Sequence, residues 1–237
     1  MSDEIRLGRV VQEWSVPPRP DAPVLLGEYA RLELLSADAH AAEIHRANSV
    51  DDTIWDFLAY GPYTSAAGYH RWVRDHTSVD DPVFYAIKNL ETGHFEGVAS
   101  YLRINPEVGS IEVGHINYAK PLQRSRAATE AMYLMMKWVY EAGYRRYEWK
   151  CNALNMGSRR AAERFGFSYE GVFRQAAISK GRNRDTAWYA SIDSEWPALK
   201  SAFSTWLAPE NFDVMGVQKE SLSYLTRLVR IVGDPAL

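Results

Sequence analysis

Charged and apolar residues alternate from Tyr29 to Leu35, the period of a half-buried strand. SADAHAAEIHRANS follows, opening on Ser36, a residue type that accepts from the free N–H groups of a helix start, and it predicts a helix. A second helix is expected over Thr64–His76, entered through Gly61-Pro62. VFYAIKN (83–89) and FEGVASYLRI (95–104) read as strands turned by Glu91-Thr92-Gly93, and GSIEVGHINY (109–118) reads as a fourth. PLQRSRAATEA (121–131) then runs into MYLMMKWVYEAGY, whose apolar residues recur at helical spacing until Gly143. RRYEWKCN (145–152) is a fifth strand, and NMGSRRAAERFGF (155–167) a helix closed by Gly166. Strands also fit 167–179 and 184–192, with Gly181 turning between them.

Two helical stretches come last, about 194–207 and 218–232. The second sets Leu222, Leu225, Leu228, Val229 and Val232 on one stripe that must be buried against its own domain or a second subunit. Residues 1–26 hold Pro17, Pro18, Pro20 and Pro23, which fix φ and remove donors, so they predict an extended arm. The order of elements predicts an α/β sandwich around a mixed sheet, divided into an arm (1–26), a domain (27–193) and a C-terminal helical extension (194–237).

Composition narrows the class of function. A formal charge of −3 speaks against general nucleic-acid binding, and no apolar run reaches membrane-spanning length. Cys151 is the only cysteine, so no intrachain disulfide forms, and there is no basic-then-apolar leader pattern; a cytoplasmic location is expected. Six scattered histidines show no metal-ligand spacing, so no metal is expected. Charge is nonetheless concentrated: Lys120 to Arg184 holds fourteen Lys or Arg against five Glu and no Asp. A strand feeding a helix start in that region is an anion site, because unpaired N–H groups and the positive end of the helix dipole coincide there.

In order along the chain, EVGHINY, LQRSRAATEA, GYRRYEWKCNALNMGSRRAAERFGF and EGVFRQ resemble the motifs of the GCN5-related N-acetyltransferase (GNAT) superfamily, most of all its Rim-type branch of ribosomal-protein N-terminal acetyltransferases. The resemblance covers roughly residues 27–193. It implies a mostly antiparallel mixed sheet of about seven strands, splayed between strands four and five, with helices on both faces. It also implies acetyl-CoA as cosubstrate. The backbone of Ile116, Asn117 and Tyr118 would hold the pantetheine arm, and the Ile116 N–H would polarise the thioester carbonyl. The pyrophosphate turn corresponds to Gln123-Arg124-Ser125-Arg126-Ala127-Ala128. Arg126 stands where the family has glycine and must point its side chain away from a close backbone cradle, though a guanidinium near a phosphate would compensate.

Acetyl transfer to an amine needs a base and a proton for the departing thiolate. By resemblance Glu112 is the base, and strict alternation would put Glu112, Gly114, Ile116 and Tyr118 on one face with His115 on the other. Gly114 then leaves room for an amine or a relaying water. Glu112 could instead be a structural partner of Arg103, with Glu170 the next carboxylate to consider. The family's tyrosine acid is missing, because its slot holds Ala162; Ser158, four residues earlier, corresponds to a serine proposed for this task in the Rim-type branch, or is simply a small residue that lets the pantetheine pass. Asn155 would bind pantetheine amides while capping its helix, and Cys151 reads as a small buried residue rather than a nucleophile.

The acceptor pocket would be framed by Trp55, Phe57, Tyr60, Tyr63, Tyr69 and Trp72 and by Lys180, Arg182, Arg184 and Asp185. Such walls suit a ribosomal-protein N-terminus, another peptide, an aminoacyl nucleotide or a drug-like amine. The expected function is therefore an acetyl-CoA-dependent N-acetyltransferase acting on a primary amine, without membrane or nucleic-acid partners and with a homodimer open. The alternative is a non-catalytic acyl-CoA-binding or interaction module.

Overall fold

A computed structural model describes residues 7–237. Eight strands form one open sheet: β1 (Val24–Leu26), β2 (Ala30–Leu34), β3 (Val83–Asn89), β4 (His94–Asn105), β5 (Ser110–Tyr118), β6 (Arg146–Asn152), β7 (Ser168–Ser179) and β8 (Arg182–Ile192). Their spatial order is β1-β2-β3-β4-β5-β6-β8-β7. Every neighbouring pair is antiparallel except β5–β6, which is parallel. The expected seven strands become eight because Val24–Leu26, in the Pro-rich stretch, pairs with β2. That stretch is held by side chains: Tyr144 donates to the Pro18 carbonyl at 3.0 Å and Tyr85 to that of Ala22 at 2.8 Å.

Helices α1 (Ala37–Asn48) and α2 (Ala66–His76) cover one face of the sheet. The first starts at the expected cap, with Ser36 accepting from Ala39 N–H; the second starts two residues later than expected, with Ser65 accepting from Gly68 N–H. They bury Ile44, Tyr69, Trp72 and Val73 against Leu35, Phe84, Ala86 and Val98. The opposite face carries α3 (Arg126–Glu141), whose Ala131, Met135 and Val139 lie in one core with Tyr85, Tyr101 and Tyr147. Helix α5 (Trp196–Leu207) closes that core, with Phe203 stacked on Tyr133 and Trp196 on Tyr140. Each large side chain fully buried this way contributes about 1.5–3 kcal/mol. Glu130 of α3 is buried and accepts from the N–H groups of Glu28, Tyr29 and Ala30, which ties the helix to the β1–β2 turn. Gly27 is required at that turn, because a Cβ there would lie 2.3 Å from the Glu130 carboxylate.

Two bulges shape the middle of the sheet. Gly114 faces Ser100 and Asn117 faces Val98, so β5 spends three steps where β4 spends two. The extra residue is His115, at φ +49°. A complementary bulge in β4 puts Arg103 at φ +47°, where the Asp81 carboxylate accepts from the N–H groups of Arg103 and Ile104. The parallel β5–β6 pairing covers only Ser110–Val113 against Arg146–Trp149, and beyond it the strands part.

The C-terminal segment corrects one expectation. Instead of a helix over 218–232 there is a short α6 (Leu222–Thr226). Leu222 is enclosed, but Leu228 and Val232 are exposed, so the stripe does not continue. After Thr226 the chain runs beside β7, with Ile231 N–H donating to Ser168 Oγ and Tyr169 N–H to the Val232 carbonyl. It then reaches buried Asp234, which accepts from Arg159 and from the Tyr189 hydroxyl. Arg159 belongs to α4 (Met156–Arg164) and also donates to the Ala153 carbonyl, so the tail braces the loop that enters α4.

Burial alone would raise the Asp234 carboxyl, but Arg159, Tyr189 and the Ala236 N–H hold it below the ordinary aspartate range. Its stabilisation is therefore full above the unfolded value of about 3.9 and disappears as pH falls through the lower folded value. Asp234→Asn is expected to lower stability by about 2 kcal/mol at pH 7, the scale of hydrogen bonds to a charged group. Denaturant melts of both proteins should differ at pH 7 and converge as the pH falls through the lowered folded value; equal stability at pH 7 would mean that the tail braces nothing.

Candidate active site

Where β5 and β6 part, two cavities open and meet. One, of about 430 Å³, lies toward the α1–α2 side and includes Glu112, Gly114 and His115 in its wall. The other, of about 910 Å³, runs along the start of α3 and the outer side of α4. Ile116, Gln123, Trp149, Asn155 and Ser158 line both, so these residues mark the junction. From Gly114 to Tyr118 the edge of β5 toward β6 has no strand partner, which leaves backbone groups free to bind an extended molecule.

The larger cavity is a groove lined mostly by positive charge. Arg124, Arg126, Arg160 and Arg164 line it against a single carboxylate, Glu91. Burial pulls Arg164 down to about 10, still cationic at neutral pH. Arg124 adopts φ +62° in the turn before α3. Ser125 caps the helix by accepting from the Ala128 N–H at 2.9 Å, while the N–H groups of Arg126 and Ala127 stay outside the intrahelical ladder. Gln123 donates to the Tyr118 carbonyl and closes the turn. The Arg126 guanidinium lies over the rings of Tyr29 and Phe212, the latter in the groove wall. Ala127 and Asn117 are buried and line neither cavity with their side chains. The wall is completed by Trp206, Phe212, Gly216 and Gln218, which sequence patterning missed; their link to the groove is tertiary, through residues such as Arg126.

In the smaller cavity Glu112 is buried, with Arg103 Nη1 at 2.7 Å and Lys150 Nζ at 2.9 Å. Burial raises its carboxyl above the ordinary glutamate range even though Lys150 and Arg103 pull it down. Lys150 is itself shared with Glu148 and lies over the Trp188 ring. Glu170 pairs with Arg146 and lines neither cavity.

The bulge overturns the alternation expected along β5. Glu112 and Gly114 precede it, His115 joins them on the α1–α2 side, and Ile116 and Tyr118 pack against the α3 core. A positive φ at a histidine carries no residue signature comparable to glycine, so no local pattern announced it. His115 Nδ1 lies 2.8 Å from Ser100 Oγ, and burial among Phe84 and Tyr60 lowers the ring to about 4, which keeps it neutral.

Asn155 caps α4, its side-chain oxygen accepting from the Ser158 N–H at 3.0 Å. Ser158 Oγ accepts from Trp149 Nε1 at 3.0 Å, so its own hydrogen is left to donate. Ala162 is fully buried and offers no proton. Cys151 also lines the cavity, but burial raises its thiol, the opposite of what a nucleophile needs.

Of the six expected aromatics, Phe57 alone lines the cavity. Trp55, Tyr60, Tyr63, Tyr69 and Trp72 form a packed aromatic cluster behind it. Of the four polar residues near the β7–β8 turn, only Arg184 enters the wall. Lys180 instead donates to the Trp55 carbonyl and ties the β7–β8 turn to that segment, and Asp185 accepts from the Gln175 N–H in the β7 bulge. Among the described residues no helix is long and apolar enough to cross a membrane, and no three His, Cys, Asp or Glu side chains gather as a metal site would require.

Residues 31–168 match the family pattern of the acetyltransferase (GNAT) domain. None of the curated protein sequences matches the chain significantly. Among solved structures it resembles a GCN5-related N-acetyltransferase from Brucella melitensis at 44% identity, covering 92% of this chain and 100% of that one, with a TM-score of 0.89. A probable GNAT-family acetyltransferase from Chromobacterium violaceum is 35% identical over 80% of this chain and 96% of its own, with a TM-score of 0.76. RimL, a ribosomal-protein alpha-N-acetyltransferase, shares the fold at 21% identity over 75% and 99% of the two chains, with a TM-score of 0.62.

Because its thiol is buried and raised, Cys151 is expected to react with iodoacetamide far more slowly at pH 7 than a free thiol does, and Cys151→Ala should keep its activity within about threefold, or roughly 0.7 kcal/mol. Loss of all turnover in a folded Cys151→Ala protein would point to a covalent route.

Proposed function

This chain belongs to the acetyltransferase (GNAT) family, and from that premise we propose that it moves an acetyl group from acetyl-CoA to a primary amine by direct attack. The acceptor would be a protein N-terminus or a small-molecule amine. The observation that carries this reading is the meeting of an arginine-lined groove and a carboxylate-bearing cavity at Ile116, Trp149, Asn155 and Ser158. The groove suits the phosphates of CoA through Arg124, Arg126, Arg160, Arg164 and the start of α3. The unpaired edge of β5 suits the pantetheine arm, and the Asn155 amide N–H groups remain available to it, because only the side-chain oxygen is used in capping.

With the thioester at the junction, the amine attacks the carbonyl carbon and forms the N–C bond. The charge that develops on the oxygen would be met by the Ile116 N–H. Glu112 takes the amine proton, directly or through a water beside Gly114; its raised carboxyl makes it a better base than an exposed glutamate. The C–S bond then breaks, and Ser158, whose oxygen already accepts from Trp149, donates to the leaving thiolate.

Acetyl-CoA is expected to raise the melting temperature by mass action, and dephospho-CoA to raise it less. Absence of any shift at millimolar acetyl-CoA would remove the cosubstrate from this reading. Glu112→Gln should lower kcat by about 10²-fold or more with the melting shift by acetyl-CoA retained. The acid limb of the wild-type rate profile should lie above the ordinary glutamate range, since a base works only when deprotonated, and that limb should vanish in Glu112→Gln. Ser158→Ala should lower kcat more than it weakens binding, and Asn155→Ala should do the reverse. Unchanged turnover in Glu112→Gln would assign this carboxylate to the ion pairs with Arg103 and Lys150 alone. Acetyl-CoA binding without thiol release against any amine would favour the non-catalytic module.

A further inference from the structure

The smaller cavity holds four cations, and the chain neutralises three of them. Lys120 Nζ lies 3.3 Å from Asp51, Arg103 is paired with Glu112, and Lys150 with both Glu112 and Glu148. Arg184 is the fourth: among the described residues no carboxylate lies within ion-pair reach of it, and its Nε is buried without a hydrogen-bond partner. A buried donor left unpaired costs free energy that a bound acceptor would recover. Arg184 also sits on a fixed backbone. The neighbouring Asp185 carbonyl accepts from the Ala153 N–H at 2.9 Å, and its carboxylate from the Gln175 N–H and from Asn183.

Its position separates it from the CoA phosphates, which have four arginines of their own along the other cavity. Arg184 of β8 lines the same cavity wall as Glu112 and His115 of β5 and Cys151 of β6. Ile54, Phe57, Leu58 and Leu102 give the same cavity apolar walls. An amine entering as a plain cation would meet this positive excess and be repelled. An amine that brings a negative group would be attracted at one end by Arg184 and at the other by Glu112.

Resting on the acetyltransferase reading above, we propose that the acceptor is a small amine carrying its own anionic group, a carboxylate or a phosphate, which Arg184 binds while the amine faces Glu112. A cavity of about 430 Å³ suits a molecule of that size. Arg184 is then the residue that selects the acceptor, and the bonds made and broken are those of the transfer already described.

The test is a panel of matched acceptors followed by thiol release from acetyl-CoA: amino acids against their carboxamides, and aminoalkyl phosphates against the corresponding amino alcohols. Wild-type protein should favour the anionic member by about tenfold or more in kcat/KM, the scale of a charged hydrogen bond, and the favoured series distinguishes carboxylate from phosphate. Arg184→Gln should reduce that preference to within about threefold, Arg184→Lys should restore part of it, and the KM for acetyl-CoA should not move. Equal rates on charged and neutral members overturn the proposal. So does an Arg184→Gln loss that is equal for both, which would place the guanidinium on the thioester instead. If no pair turns over, equilibrium binding of the same pairs to the acetyl-CoA complex is measured, and absence of preference for the anionic member overturns it. A melting shift by acetyl-CoA in that case leaves the family's cosubstrate reading standing, whereas its absence removes the reading on which the proposal rests.

Discussion

Four residue pairs of parallel strand, Ser110–Val113 against Arg146–Trp149, join the two halves of the sheet, and both cavities open where that seam ends. Had the pairing continued, the free edge of β5 would be spent on β6 and no molecule could enter. It stops as Gly114 and the His115 bulge turn β5 away. The last turns of the seam are pinned by charge: Lys150 of β6 bridges to Glu112 of β5 and to Glu148 on its own strand. The proposed base is therefore also a clamp across the strands that must part. A buried carboxylate with two cationic partners would be costly to leave unpaired, which favours keeping a glutamate here for either role.

The β4 and β7 bulges are each held by a carboxylate. The β4 bulge at Arg103 is held by the Asp81 carboxylate through two backbone N–H groups, and it aims the guanidinium at Glu112. On the other strand pair, the β7 bulge is held by Asp185. Each irregularity has its own carboxylate, so the strained backbone at Arg103 and Gln175 is over-determined by its surroundings. On the far side the C-terminal tail acts in the same way, with Asp234 gripping Arg159, which in turn holds the Ala153 carbonyl ahead of Asn155.

Much of the fold was legible from pattern because local rules and tertiary packing agree over most of the chain. The caps expected at Ser36 and Asn155 accept from the N–H groups of their helices. The Lys180-Gly181 turn adopts positive φ at both residues, as a tight hairpin requires. The arginine-lined groove was visible as a concentration of basic residues around a strand-to-helix turn. The tail was misread because its apolar spacing is helical, yet only Leu222 finds a fully enclosed place; the following residues gain more by hydrogen bonding along β7 than by extending a helix whose stripe would face water.

By itself the sequence determined the succession of strands and helices, the turn that opens α3, and the residue types gathered along β5, β6 and α4, because period, capping and turn chemistry are local properties. Only the tertiary structure decided which face each β5 side chain takes, since a one-residue bulge inverts the alternation and depends on β4 for its register. It also decided that five of the six aromatics are core and Phe57 is wall, and that residues near 206–218 complete a groove begun at 116. Above all, it decided which charges are paired. Glu112, Lys150, Arg103 and Arg184 come from four strands, and whether a cation there is neutralised or free follows from distances that no spacing along one strand can encode.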